Sequence, residues 1–71
     1  MNKFYVIEIQ TNADGTSGNF VWGFANRADA DEKYYTVLSV ACKSDVQVHG
    51  AALLTSDCKF IDSKSFVHTS E

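Results

Sequence analysis

Few side chains in this sequence are of a type that could do chemistry. They are His49 and His68, Cys42 and Cys58, and the carboxylates Asp14, Asp45, Asp57 and Asp62. A cysteine nucleophile needs a histidine beside it to take its proton. In a hairpin turning at 56–57, His49 falls opposite Lys64 and His68 opposite Asp45, so neither histidine is brought to a cysteine. Lys43 and Lys59 adjoin the two thiols, but one neighbouring cation each is thin support for a thiolate. Two histidines and two cysteines could make a tetrahedral zinc site on paper. Their spacing matches no short chelate, so no metal and no cofactor is expected. The aspartates fall in loops or on an exposed strand, where solvation is their ordinary role. No catalytic residues are expected.

Binding chemistry is better represented. The run Asp14-Gly-Thr-Ser-Gly has glycines but lacks the lysine and spacing of a phosphate loop. Arg27 stands at the start of a helical pattern, where backbone N–H groups favour anions. Arg27, Tyr35, Asp14, Thr16 and Ser17 are therefore the candidate ligand-binding residues, for a small anionic or nucleotide-like ligand held between subunits. Phe4, Phe20, Trp22 and Phe24 are the candidate interface residues. Exposed aromatics on a sheet can also stack bases, but such platforms are ringed with basic residues, and none cluster here.

The elements that must position these groups follow from periodicity. Residues 26–44 read as a helix. Asn26 can cap it and Asp29 sits at N3, while Ala30, Tyr34, Val37, Leu38 and Ala41 share one face. Residues 3–10 alternate as a strand, with Tyr5, Ile7 and Ile9 on one face and Phe4, Val6, Glu8 and Gln10 on the other. The first face is the cleaner apolar one and is expected to meet the helix. Residues 11–19 form the longest loop. Residues 20–25 form a strand with Phe20, Trp22 and Phe24 opposite Val21, Gly23 and Ala25; the small face is expected under the helix and the aromatic face open. Residues 46–55 form a third strand with Val46, Val48, Gly50, Ala52 and Leu54 toward the core. Residues 58–68 form a fourth strand whose charges suit an edge, and residues 69–71 are expected to fray.

The order is ββαββ, an α+β domain. A crossover over one strand predicts sheet order 2-1-3-4, all antiparallel, with one helix on one face. Seventy-one residues make one domain with a small core. Chains of that size commonly need a disulfide, a metal or a partner subunit. Two cysteines are too few for a disulfide scaffold, so a homo-oligomer is expected. Six Lys/Arg against nine Asp/Glu give a net charge of −3, with no basic run. That disfavours double-stranded nucleic acid, whose binding relies on clustered cations. The apolar patch near the N-terminus is too short for a signal peptide or a membrane span, which points to a cytoplasmic protein.

The runs KFYVIEIQTNADGTSGNFVWGF and YYTVLSVACKSDVQVHGAALLTSD resemble small proteins of phages and gut Firmicutes that carry no assigned chemistry. The resemblance implies a phage or prophage accessory context in a host cytoplasm. It implies anti-defence activity, either by sequestering a nucleotide signal in an oligomer or by blocking a host protein. The expected function is a non-catalytic, homo-oligomeric binding protein. The alternative is a protein–protein interaction module acting through its open sheet face or edge.

Overall fold

The computed structural model describes residues 1–68, and the expectation of a frayed 69–71 lies outside them. Asn26 has an extended backbone, and its side-chain oxygen accepts from the Asp29 N–H. The Asn26 amide in turn donates to the Asp29 carboxylate. This reciprocal cap starts α1 (Arg27–Ala41) and satisfies a donor that the first turn leaves unpaired. Asn26→Ala should therefore cost about 1 kcal/mol, read as a lower urea midpoint at unchanged m-value. The helix stops before residue 44; Cys42 and Lys43 form a turn and Ser44 N donates back to Ala41 O.

Four strands of eight residues complete the domain: β1 (Phe4–Thr11), β2 (Ser17–Phe24), β3 (Val48–Thr55) and β4 (Phe60–Val67). They form one antiparallel sheet in the order β2-β1-β3-β4, as the element order predicted. The expected 11–19 loop is shorter in the structure. Thr11, Gln10 and Ile9 pair with Ser17, Gly18 and Asn19, so polar residues continue the hairpin beyond the apolar run. The tip closes with Asn12 N donating to Thr16 O, and with Gly15 at φ +90°, a backbone that glycine adopts without steric penalty.

The helix lies on the face opposite to the expected one. The core under it is Val6, Ala51 and Leu53 from the sheet with Ala30, Tyr34 and Val37 from α1. Phe4, Trp22, Phe24 and Leu38 pack against that cluster. Alternation places Tyr5, Ile7 and Ile9, with Val21, Val48, Gly50, Ala52 and Leu54, on the uncovered side. The residues that share a face were grouped correctly on β1, β2 and β3, with one two-way choice inverted; on β4, Phe60 was expected with Asp62, Lys64 and Phe66, but the register shift turns it to the opposite face, beside Leu54. The large aromatic side chains fill the rim between a cylindrical helix and a twisted sheet, which small residues would leave void.

The β3–β4 register also differs from the expected one. His49 pairs with Phe66, and Lys64 pairs with Ala51. The turn spans Thr55 to Lys59, with Cys58 at φ 66°, and a register shift falls between Leu53 and Leu54. Together they displace the expected pairing by two residues.

Candidate functional site

The open face of the sheet is the largest feature the fold leaves without a cover. It is built by alternation: Tyr5, Ile7 and Ile9 from β1; Val21 and Gly23 from β2; Val48, Gly50, Ala52 and Leu54 from β3; Ser63, Ser65 and Val67 from β4. Phe60 joins them as the partner of Leu54. Ile9, Val21, Phe60 and Val67 are 51–69% exposed. Every charged side chain carried by a strand, namely Glu8, Asp62 and Lys64, alternates onto the helix side instead. The open face is therefore uncharged and apolar at its centre, with the polar Thr11, Ser17 and Asn19 at one end and Ser63 and Ser65 along β4. An apolar, uncharged centre on an uncovered sheet face marks a surface of interaction.

Its relief comes from the small residues. Gly50, Ala52, Ser63 and Ser65 floor a shallow trough of about 440 Å³ bounded by Ile7, Ile9 and Val48, and lined also by Ala51 and Lys64, which alternate to the helix side. Gly50 belongs there because β3 and β4 approach closely at that point; a Cβ on Gly50 would lie 2.7 Å from the Lys64 carbonyl oxygen. Ridges of isoleucine, valine and phenylalanine thus stand beside a groove of glycine, alanine and serine on the same surface.

The helix side holds a second arrangement. Glu8 and His49 are both buried, and His49 Nε2 lies 2.5 Å from Glu8 Oε2. Ser44 Oγ lies 2.8 Å from His49 Nδ1, and Gln10 Nε2 donates to Glu8 Oε2 at 3.1 Å. With the Glu8 carboxylate accepting, His49 donates from Nε2; in the neutral ring Nδ1 then accepts a hydrogen bond from the Ser44 hydroxyl. Serine, histidine and glutamate in this order have the composition of an acyl-transfer relay. The surroundings oppose that chemistry. Ser44 follows the C-terminus of α1, where Ala41 O accepts from Ser44 N and from His68 Nε2. A helix C-terminus presents carbonyl oxygens and negative potential, the wrong sign for an oxyanion. The trough lies on the other side of the sheet. Sequence reasoning missed this cluster because it placed His49 on the open face; the signal was a carboxylate and a histidine on strands that must pair, in phase with the aromatic faces.

The candidate ligand-binding residues are not brought together. Asp14 and Thr16 satisfy each other within the hairpin tip: the Thr16 N–H and hydroxyl both donate to Asp14 Oδ1, and this holds the Asp14 carboxyl below the usual carboxylate range. Ser17 opens β2 beside them, whereas Arg27 follows the far end of the same strand, about 23 Å away by strand rise. Arg27 is itself ion-paired with Asp31, one turn along the helix. Tyr35 is exposed on α1 and meets Tyr34 edge-on, with ring centres 5.3 Å apart.

Of the candidate interface residues, Phe4, Trp22 and Phe24 are half-buried against the core rather than open. Trp22 carries Lys33 Nζ 4.1 Å from its ring centre. Phe20 alone stays more than half exposed, stacked on Trp22 at the outer rim of β2. The Tyr34 hydroxyl is buried without a hydrogen-bond partner; burial, and then the Asp62 carboxylate, push its phenol above the ordinary range.

Cys42 and Cys58 are both free and exposed. Among the described residues no cluster of three or more potential metal ligands occurs, and no helix is long and apolar enough to cross a membrane. No protein-family model, curated protein or solved structure matches the chain.

Proposed function

We propose that this protein is a non-catalytic binding module that associates with a second copy of itself through the open face of its sheet. The observation that carries this reading is the distribution of charge: strand residues on the helix side include Glu8, Asp62 and Lys64, and the uncovered side has none. Four strands about 4.8 Å apart and eight residues long at about 3.3 Å per residue present roughly 500 Å². Two such faces bury about 1,000 Å², the lower bound for a specific interface. The trough and the ridges lie on one surface, so a twofold axis can seat the ridges of each copy in the trough of the other. The separation of Arg27 from the Asp14–Ser17 tip weighs against a pocket for an anionic ligand within one subunit. The absence of strand cations on the open face favours a protein occupant there over an anionic nucleotide.

Light scattering at micromolar concentration tests this. The native chain should exceed a monomer. Ala52→Glu, which sets a carboxylate on the face from each copy, should weaken association at least roughly a thousandfold, about 4 kcal/mol. A native chain that stays monomeric would overturn self-association and leave a different protein as the occupant of the face.

A further inference from the structure

The two edges of the sheet are unlike. β4 is protected: it carries Asp62 and Lys64, and its pairing with β3 is interrupted by a register shift at Leu53/Leu54. Charges and bulges on an edge discourage a further strand from adding. β2 has none of these devices. Its sequence, SGNFVWGF, contains no charge and no proline, and it pairs with β1 through eight consecutive residues without a shift. It has a neighbour on one side only. The exposed residues at the middle of this edge, Phe20 at 53% and Val21 at 59%, are apolar on both sides of the sheet.

We infer that the β2 edge is a second interaction surface, and that its partner is β2 of another copy, added antiparallel about a twofold axis centred on Val21. A strand with no charge meets itself without like-charge repulsion, although the chain as a whole carries −3. Symmetry restricts the register. A twofold axis that relates adjacent antiparallel strands stands perpendicular to the sheet, so both helices lie on the same side. Directly opposed residues must then share a face, and the axis passes through a residue rather than between two. Phe20 and Val21 flank the midpoint of β2. Centring on Val21 opposes Val21 to its own copy and sets each Phe20 against the partner's Trp22, extending a stack already present at 5.8 Å within one chain. Aromatic cross-strand pairs of this kind are favourable.

The product is an eight-stranded sheet with two helices above and one continuous uncharged surface below. This edge pairing stands on the edge alone. Only its consequence, a tetramer made by stacking two such sheets, rests on the face pairing proposed above.

Disulfide trapping tests the edge separately from the face. In a Cys42→Ser/Cys58→Ser background, Val21→Cys should form an intersubunit disulfide under mild oxidation, because opposed antiparallel Cα atoms lie about 4.5–5.5 Å apart, within disulfide reach. The crosslink should persist when Ala52→Glu is added, since that change acts on the face. Ser17→Cys, remote from the axis, should not crosslink. Native mass spectrometry should report a tetramer for the parent chain, a dimer for Ala52→Glu, a dimer for Phe20→Lys and a monomer for the double variant, each with native circular dichroism. Crosslinking at Phe20→Cys instead of Val21→Cys would overturn the register. Loss of the Val21→Cys crosslink on adding Ala52→Glu would overturn edge pairing and leave the face interface standing.

Discussion

His49→Ala is expected to destabilise the fold by about 3–5 kcal/mol, among the largest effects of any single substitution in the chain. His49 is 2% exposed and bridges Ser44 to Glu8, whose carboxylate is also out of water. Removing the imidazole leaves that carboxylate with Gln10 as its one remaining side-chain donor. A buried charge that loses its partner carries its full desolvation cost, and the cavity left by the ring adds to it. Urea unfolding followed by fluorescence reads the loss. The companion variant is Glu8→Leu/His49→Leu, which removes both partners. It should recover most of the stability, because apolar residues of similar volume need no hydrogen bonds. A His49→Ala cost of about 0.5 kcal/mol or less, typical of a surface change, would mean that the contact contributes nothing.

Gly50→Ala is expected to cost about 2–3 kcal/mol and to lower Tm on the order of 10 °C or more. The added methyl would meet Lys64 O at 2.7 Å, Ser65 Cβ at 2.8 Å and Ser65 Cα at 2.9 Å. Two of those three atoms are backbone, so the β3–β4 ladder itself must open to admit it. Gly23→Ala supplies the contrast. There the closest obstacle is the Asn2 side chain, which is exposed and can swing away, with a Tyr5 ring atom at 3.1 Å. Its cost should stay below about 1 kcal/mol. Differential scanning calorimetry on the two variants checks both, and equal costs would show that the close approach of β4 is not what requires Gly50.

Much of the architecture was legible because it depends on local periodicity. Asn26 and Asp29 mark the start of the helix, and Ala30, Tyr34, Val37 and Ala41 are the residues it buries. Phe4 to Gln10 and Val48 to Thr55 alternate as the strands require. The hairpin tip was harder, since Thr11, Ser17, Gly18 and Asn19 look like loop residues and pair as strand because the ladder behind them extends outward. The candidate ligand residues do not meet within one chain, for a geometric reason: strand β2 separates Ser17 from Arg27 by its whole length.

What the sequence by itself determined is the ββαββ order, the sheet order that follows from it, and which residues share a face on β1, β2 and β3; on β4 the irregularity opposite Leu53 and Leu54 moves Phe60 to the other face. What only the tertiary structure decided is which face lies under the helix. Alternation carries a period of two and no sign, so it cannot tell inside from outside when both faces are largely apolar. Tyr5, Ile7 and Ile9 make the cleaner apolar stripe, yet the stripe containing Glu8 is the buried one. Glu8 can be buried only because His49, forty-one residues away, and Gln10 are placed to satisfy it. That compensation exists only once β1 and β3 are paired. It leaves the uncharged face to solvent or to another copy of the chain.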